Sequence, residues 1–393
     1  MLMAVTFRNT LDFLKHNKLI TFLIFLSLLS MLRNLFLPLS GDELTYANIA
    51  ENIMLRGEYA FGEKPSTITP SLPFQIAFFF TKAYPFLGFV MAKLFNLLLL
   101  FVGFRYLFLF LKRIQLSFEV ICSIILLSIV NTNFVLWSLR LYPETILFCS
   151  FWIFIYYLTR EINKPKDILL IILPFVVLIL TRYVFAVFGI LVVYVIFNYF
   201  KNQLRYGNYQ IIYKSILYSV ICLLPVLFWF KYVLYLESDI DIGLSYFNRF
   251  KDNDIFYNLK AGIGLIKHDE VDNINGIPAF ITLFLPITGF RNWILSILLI
   301  ITFCSGYLWN FKKDNLRILF IAILLVMLGL VFAGTGFSRY WLPMLPGFLL
   351  GFYLFFKTLK LKDSQFIILA QIAAVIYVVN ELRLDVKILN DYL

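Results

Sequence analysis

Two neighbouring carboxylates, Asp42 and Glu43, follow the first apolar run of the chain and are the residues best suited to proton chemistry. A carboxylate within hydrogen-bond reach of a hydroxyl can act as a general base, and an adjacent pair could also help to hold a divalent cation. The simpler interpretation is a helix cap, because Ser40 or Asp42 suits an N-cap and Glu43 suits a first helical turn. The residue types alone leave both interpretations open.

Basic residues at or near the ends of apolar runs are the second set with chemical potential. Such groups could bind an anion such as a phosphate. The candidates are Lys93, Arg140, Arg182 and Arg339. Glu144 lies four residues after Arg140, at the start of another apolar run, and an ionisable residue in such a place is a functional candidate. Arg140 is therefore expected to pair with Glu144 or with a phosphate, although any one basic residue could instead extend to the membrane surface.

The composition of the chain indicates which elements must hold these residues. Of 393 residues, 61% are hydrophobic and 15% are charged, against about 45–50% and about 25% in soluble proteins. The net charge of +11 is spread in groups of two and three between apolar runs, which is typical of membrane topology and does not favour a nucleic-acid partner. The four Cys lie in apolar runs and indicate neither a disulfide framework nor a zinc site. The predicted fold class is an all-α polytopic membrane protein.

Eleven apolar runs are the predicted transmembrane helices, since a span needs about 20 apolar residues. They cover 19–38, 88–111, 118–136, 144–159, 168–181, 183–200, 215–233, 293–311, 317–333, 341–357 and 364–380. With the N-terminus in the cytoplasm, each short inner connection carries two or three Lys or Arg, as the positive-inside rule requires. This orientation puts the carboxylate and arginine candidates at the extracytoplasmic face of the inner (plasma) membrane.

The first outer connection, 39–87, is long enough to hold structure of its own. Apolar residues at helical spacing predict an interfacial amphipathic helix over Leu44–Arg56 that ends at Gly57. The segment Pro70–Pro73 predicts the start of a second interfacial helix. The candidate carboxylates would then stand at the beginning of a helix that lies on the outer membrane surface.

The order of these motifs resembles that in a known superfamily of membrane enzymes. In this chain the pattern D-E-x-x-Y-x-x-x-A…G-x-Y resembles the first outer loop of glycosyltransferases with the GT-C fold. It is formed by Asp42, Glu43, Tyr46, Ala50, Gly57 and Tyr59. Further segments resemble family motifs in the same order, namely Pro70–Pro73, Lys93–Asn96, Tyr142–Glu144, Thr181–Tyr183 and Arg339–Tyr340. The resemblance covers about 19–200 and, locally, 330–350. It departs from many relatives where Ser71 splits the proline pair.

The resemblance implies a polyprenyl-phosphate-dependent enzyme of the cell envelope. Relatives include protein O-mannosyltransferases, lipid A aminoarabinose transferases and lipopolysaccharide-core galacturonosyltransferases. The chain would move a sugar, with inversion, from a polyprenyl-phosphate donor to a lipid, glycan or protein acceptor. Asp42 would be the base, and Glu43 would orient the acceptor or Asp42, or help to hold a cation. The donor phosphate and the substrate would be bound by Arg182, Arg339, Lys64, Lys93, Arg140, Tyr46, Glu144 and Tyr340.

The predicted domain organisation has two parts. Residues 1–200 form the GT-C-like transmembrane module, including the catalytic first outer loop. Residues 201–393 form a variable transmembrane module with the outer loop 234–292 and an outer C-terminal tail. The outer loop 234–292 is rich in Asp and Glu, and its simplest interpretation is a solvent-exposed acidic loop. A metal site at His268 and Asp269 is the alternative.

Two other functions remain open from the sequence. A transporter or flippase for a lipid-linked sugar would use similar spans without chemistry of its own, and its carboxylates should lie near the bilayer midplane on broken helices. A non-catalytic scaffold subunit of a glycan machine would tolerate the loss of the Asp42 carboxylate.

Overall fold

A computed structural model describes residues 17–238, 255–267, 274–287, 289–334 and 338–392. The alternative metal ligands His268 and Asp269 lie outside the described residues. The strands β1 (Ala60–Phe61) and β2 (Lys64–Pro65) form one antiparallel hairpin. The helices in chain order are α1 Lys18–Phe36, α2 Asp42–Arg56, α3 Ser71–Phe79, α4 Pro85–Arg113, α5 Phe118–Ile129, α6 Thr132–Trp137, α7 Glu144–Leu158, α8 Asp167–Thr181, α9 Gly189–Arg205, α10 Tyr209–Glu237, α11 Ile255–Ile263, α12 Trp293–Trp309, α13 Asp314–Phe332, α14 Leu345–Thr358 and α15 Asp363–Tyr392. Short 3-10 segments cover Tyr183–Phe188, Ile277–Phe284 and Ser338–Met344.

Within the described residues, six helices are long and apolar enough to cross a membrane. They are α1, α4, the stretch Tyr183–Arg205 that contains α9, α10, α13 and α15. Shorter apolar helices include α5, α7, α8 and α12. Each of the eleven predicted runs falls on a helix, and the predicted class of all-α polytopic membrane protein is confirmed.

The short helix α7 lies at the centre of the bundle. Its 15 residues span about 22 Å, less than the roughly 30 Å of a hydrocarbon core. Nearly all its side chains are buried, mainly against α4 and α8, so neighbouring helices shelter it from lipid. The Trp152 indole donates to the Pro343 carbonyl oxygen at 3.1 Å and ties α7 to the 3-10 segment before α14. The first residue of α7, Glu144, therefore has a fixed position.

Three predicted spans, 118–136, 183–200 and 341–357, differ from a plain α-helix, and the first of them is wrong as a single span because it is broken into two helices. The first is divided at Asn131, whose Oδ1 accepts from the N–H groups of Asn133 at 3.0 Å and Phe134 at 3.2 Å and so caps α6. The other two begin with a 3-10 segment before the α-helix. Apolar character alone does not reveal such features, because one or two asparagines lower the mean hydropathy of a long run only slightly and a 3-10 turn does not change it.

The first outer connection contains both predicted helices, α2 and α3. Helix α2 ends at Gly57, whose φ of 72° is the left-handed cap conformation. The expected cap by Ser40 or Asp42 is wrong, because the N-cap is Gly41 and no side chain caps the helix. Asp42 is thus free of a capping role.

Candidate active site

The first ion pair of the site joins Asp42, the first residue of α2, to Arg339 in the segment before α14. The Arg339 Nη2 atom lies 2.6 Å from Asp42 Oδ2. The Asp42 side chain is 52% exposed, whereas that of Arg339 is 15% exposed. The carboxylate side chain of the pair is therefore half-exposed, while that of its arginine is largely enclosed by the protein.

The second ion pair is deeper and joins Glu144 to Arg182. The Arg182 Nη2 atom lies 2.6 Å from Glu144 Oε1, and the Glu144 side chain has no exposed surface. Arg339 Nε lies 3.9 Å from the same Glu144 oxygen, so the two pairs form one charged cluster of Asp42, Glu144, Arg182 and Arg339. The expectation that Arg140 pairs with Glu144 is wrong, because Arg140 Nη1 instead donates to the Ser40 hydroxyl at 3.2 Å.

Aromatic rings hold the two arginines of the charged cluster. The Arg182 guanidinium carbon lies 3.7 Å from the centre of the Tyr340 ring, and that of Arg339 lies 4.9 Å from the Tyr142 ring and 5.4 Å from the Trp137 ring. Contacts of this kind attract a cation to the face of the ring. The guanidinium groups are thereby oriented before any anion binds.

The charges of the cluster shift the pKa values of their neighbours. Burial alone would raise the pKa of Tyr340, but Arg182 and Arg339 outweigh it and lower the pKa below its usual range. Burial would lower the pKa of Arg339, but Tyr340, Glu144 and Asp42 outweigh it and raise the pKa. Both arginines therefore stay protonated, which a phosphate-binding role requires.

Tyr46 faces the charged cluster from the next turn of α2. Burial raises the pKa of its phenol above the usual range, and the charges that modify this effect come from Arg182, Asp42, Glu144 and Arg339. The phenol therefore remains protonated at neutral pH and can donate a hydrogen bond.

Glu43 is buried and holds the backbone rather than facing outward. Its Oε1 accepts from the Leu141 N–H at 2.8 Å, and its Oε2 accepts from the Ser40 N–H at 3.1 Å. The Tyr142 hydroxyl donates to the Ser40 carbonyl oxygen at 3.2 Å. These bonds tie the turn before Asp42 to the connection before α7, and so fix the distance between Asp42 and Glu144.

The two predicted lysines take other positions. Lys93 is buried, and its ammonium donates to the carbonyl oxygens of Asn34 at 2.8 Å and Leu37 at 3.1 Å, where it satisfies the C-terminal end of α1. Lys64 lies on the exposed strand β2 of the hairpin. The hairpin is attached to α2 through Asn52, whose amide donates to the carbonyl oxygens of Ala60 and Gly62, both at 2.9 Å.

An apolar groove runs along α7, the helix that begins at Glu144. This long groove has a volume of about 540 Å³ and is lined by α3, α4, α7 and α8. Its lining runs along α7 from Ile146, two residues after Glu144, to Tyr157, a distance of about 16 Å. At its head Gln75 donates to Asn96 at 2.8 Å, and Asn96 donates to the Arg140 carbonyl oxygen at 2.9 Å. The groove is therefore an apolar channel with one end at the start of α7 and a neutral amide network at that end.

A divalent cation was an alternative at the adjacent carboxylates. Within the described part of the chain, no group of three or more His, Cys, Asp or Glu side chains is placed to hold a metal ion. The two oxygens of Glu43 accept backbone N–H groups, so they do not suit a metal.

The sequence did not single out Trp137 or Gln75. Trp137 and Tyr142 flank Arg140 in the same short connection, which is the one signal that could have drawn attention to their rings. Gln75 lies one turn after Ser71 in α3 and nothing in its spacing marks it. Their roles depend on contacts between elements distant in sequence.

Comparison with known proteins agrees with this architecture. The structure is similar to the crystal structure of ArnT from Cupriavidus metallidurans bound to undecaprenyl phosphate, with a TM-score of 0.54 and 12% sequence identity. The similarity covers 88% of this chain and 61% of that chain, so this chain spans less than two thirds of that protein. No protein-family model and no curated protein sequence matches the chain. The chain therefore has the GT-C fold, as a multi-pass membrane protein.

Proposed function

We propose that the protein is a membrane glycosyltransferase that moves a sugar from a polyprenyl phosphate to an acceptor hydroxyl. The observation that carries this proposal is the charged cluster of Asp42, Glu144, Arg182 and Arg339, together with a long apolar groove along α7, the helix that begins at Glu144. The groove suits a polyprenyl tail, and Arg182 and Arg339 suit its phosphate. The ArnT structure with the same fold contains undecaprenyl phosphate, which agrees with this class of donor.

The proposed chemistry is a direct displacement at the anomeric carbon. The acceptor hydroxyl oxygen forms a bond to that carbon, the bond from carbon to phosphate oxygen breaks, and the configuration inverts. The hydroxyl proton passes to Asp42, whose half-exposed carboxylate can accept it. The polyprenyl phosphate leaves with the bonding electron pair, and the cationic donors of Arg182 and Arg339 stabilise its charge.

The remaining members of the site orient these groups. Glu144 keeps the two arginines together, and Tyr340 and Tyr142 support their planes. Glu43 fixes the turn before Asp42 and acts as a positioning residue. Tyr46 supplies a hydrogen-bond donor from the same helix.

We propose that the site faces the extracytoplasmic side of the plasma membrane, with the N-terminus in the cytoplasm. The ends of helices opposite the charged cluster carry the short basic connections, of which Lys112, Arg113, Arg160, Lys312 and Lys313 are examples. Positive connections favour the cytoplasmic side, which supports this orientation.

A flippase without chemistry is the weaker alternative. Its carboxylates would be expected on broken helices near the middle of the membrane. Asp42 and Glu144 instead are the first residues of α2 and α7, at one end of the bundle. This position suits a reaction at the membrane surface.

The proposal is tested with purified protein in lipid nanodiscs and a panel of polyprenyl-phosphate sugars, each supplied with an extract of envelope lipids and glycans. Consumption of one donor, with free polyprenyl phosphate and an acceptor of inverted linkage as products, is the expected result. Donor that crosses the bilayer of sealed vesicles without being consumed would establish the flippase instead.

A further inference from the structure

A second cavity lies at the end of α7 that is opposite the charged cluster. It has a volume of about 550 Å³ and is formed where α4 and α7 end and α13 begins. Charged and polar side chains make up most of its lining, so we call it the polar pocket. Because α7 spans about 22 Å, the polar pocket is separate from the candidate active site, and the proposed chemistry does not use it.

Arg113, the last residue of α4, lines the polar pocket in a fixed orientation. Its Nη1 donates to the Tyr156 carbonyl oxygen at 2.7 Å and to the Thr159 hydroxyl at 3.2 Å. Its guanidinium carbon lies 4.1 Å from the centre of the Tyr156 ring. A basic residue that only marks the cytoplasmic side would extend into water, whereas this guanidinium is held against the end of α7.

The contacts of Arg113 leave most of its binding capacity unused. Capping the end of α7 takes only Nη1, and among the described residues no carboxylate forms an ion pair with Arg113. A guanidinium can bind the oxygens of a phosphate through two parallel N–H groups. An arginine that is oriented in advance and has no carboxylate partner therefore suits a phosphate ligand.

The charge around the polar pocket also favours an anion. The connections that surround it are 112–117, 159–167 and 310–317. Together they contain eight Lys or Arg and three Asp or Glu. Asp314 pairs with Arg317 at 2.7 Å, and Asp167 Oδ2 accepts from the Asn163 N–H at 3.0 Å. Only the third carboxylate, that of the exposed Glu161, faces the excess of cations without a partner among the described residues.

The lining of the polar pocket changes from apolar to polar along the membrane normal. Leu158 ends α7 and Ile318 lies one turn inside α13, so the apolar part belongs to the helices. Arg160 and Asn163 belong to the connection between α7 and α8, and both are exposed. Basic pockets of this kind, between spans at the cytoplasmic boundary, suit the headgroups of lipids.

We propose that the polar pocket binds a phosphate ester, with Arg113 as the principal ligand of the phosphate group. Arg160 supplies a second cation. The first turn of α13, which begins at Asp314, supplies backbone N–H groups that have no partner within the helix. The phosphate belongs either to a phospholipid headgroup of the adjacent leaflet or to a soluble ester. This site lies beyond the proposed transferase function and does not depend on it.

The test measures ligand binding to the full-length protein in lipid-depleted detergent micelles. Phosphatidylglycerol should bind saturably and raise the Tm, because a ligand that binds only the folded state stabilises it. Arg113→Gln should raise the Kd at least about tenfold, since a charge-assisted hydrogen bond is worth that factor or more. The matched control is Arg205→Gln, the same change at an exposed arginine that ends α9 outside the pocket, and its Kd should equal that of the wild type.

Two further probes identify the source of the phosphate. Diacylglycerol with the same acyl chains lacks the phosphate and should not compete with phosphatidylglycerol. Glycerol 3-phosphate carries the phosphate without the chains. Phosphatidylglycerol that binds at least tenfold more tightly than glycerol 3-phosphate assigns the site to a lipid headgroup, and equal affinities assign it to a soluble ester. Either result supports the phosphate site.

A second pair of variants keeps the test valid if Arg113→Gln disturbs the end of α7. Arg160→Gln removes an exposed cation, and Asn163→Asp adds an exposed anion, so each should raise the Kd several-fold while the protein remains folded. A Kd that is the same in Arg113→Gln, Arg160→Gln and the wild type would overturn the proposal. Competition by diacylglycerol as strong as that by phosphatidylglycerol would also overturn it, because the acyl chains alone would then account for binding.

Discussion

At the scale of single residues, the site contains two arginine–carboxylate pairs of different exposure. Glu144 has no exposed side-chain surface, whereas half of the Asp42 side chain is exposed. Breaking a buried pair leaves an uncompensated charge, while an exposed pair contributes little to stability. Glu144 is therefore a structural centre of the cluster, and Asp42 is available for chemistry.

The first prediction separates these roles by stability. Glu144→Gln should lower the free energy of unfolding by about 3–5 kcal/mol, because Arg182 loses its buried partner. Asp42→Asn should lower it by less than about 1 kcal/mol. The comparison is made by denaturant unfolding in mixed micelles. Equal losses for the two variants would contradict the assignment of Glu144 as the buried centre.

The second prediction concerns the pH dependence caused by Tyr340. A tyrosine whose pKa is lower in the folded than in the unfolded protein adds stability as the pH rises through its folded pKa, because the folded state releases the proton more readily. Tyr340→Phe keeps the ring under Arg182 and removes the hydroxyl. The Tm difference between wild type and Tyr340→Phe should therefore increase as the pH rises toward about 10, the usual pKa of a tyrosine. A difference that stays constant or shrinks would show that the arginines do not lower this pKa.

The sequence was sufficient to select most residues of the cluster but not their partners. Charged residues are rare in an apolar chain, so Asp42, Glu144, Arg182 and Arg339 are conspicuous in it. Arg140 is nearest to Glu144 in sequence, yet the true partner lies 38 positions away. Partner choice depends on which helix ends meet, and a single sequence does not contain that information.

At the scale of elements, the turn from α1 into α2 determines where the Asp42 carboxylate points. Gly41 has φ of 59° and ψ of −132°, a backbone conformation that residues with a side chain rarely adopt. A Cβ at this position would also lie only 3.0 Å from the Tyr142 hydroxyl. Glu43 fixes the same turn from the other side. The helix α2 was predictable from its apolar stripe, but its glycine cap was not.

The third prediction uses Gly57 as the matched control for Gly41. Both residues have positive φ, but a Cβ at Gly57 would meet nothing within 4 Å. Gly41→Ala should lower kcat at least about tenfold, because a shift of about 1 Å in a catalytic group has effects of that order or larger. Gly57→Ala should leave kcat near the wild-type value, although each variant bears some backbone strain. Similar kcat values for the two alanine variants would show that the turn does not control Asp42.

At the scale of the whole molecule, α1 and α15 are joined by a group of ion pairs and a hydrogen bond, which we call the clasp. Arg33 in α1 lies 3.0 Å from Glu381 of α15 and also pairs with Asp385, and the Ser30 hydroxyl donates to Asp385 at 2.6 Å. The Glu381 side chain is 1% exposed. Because α1 leads directly into the turn before Asp42, this clasp anchors the helix that precedes the candidate site.

The fourth prediction tests the clasp with Lys387 as the control position on α15. Arg33→Gln should lower the free energy of unfolding by about 3–5 kcal/mol, since Glu381 is left buried without its cation. Lys387→Gln, at an exposed position, should change it by less than about 0.5 kcal/mol. A small effect of Arg33→Gln would mean that the Arg33 ion pairs contribute little to holding α1 against α15.

The overall architecture followed from composition and from the positions of basic connections, because lipid exposure forces backbone hydrogen bonds into helices. The break at Asn131 could not be predicted in the same way, because it depends on a hydrogen bond to a segment distant in sequence. The Asn131 amide donates to the Leu283 carbonyl oxygen at 2.7 Å, inside the 3-10 segment Ile277–Phe284. Such mutual satisfaction is a property of the folded molecule and not of either segment.

The most direct test of the account measures sugar transfer by Asp42→Asn. The control is Glu51→Gln, an exposed position on the same helix with the same change from carboxylate to amide. In nanodiscs with the active polyprenyl-phosphate sugar, Asp42→Asn should lower kcat by about 10²–10⁴-fold with little change in donor KM, because the base is lost and the phosphate site is kept. Glu51→Gln should transfer sugar at the wild-type rate. Full activity of Asp42→Asn would contradict the central claim that this carboxylate accepts the acceptor's proton.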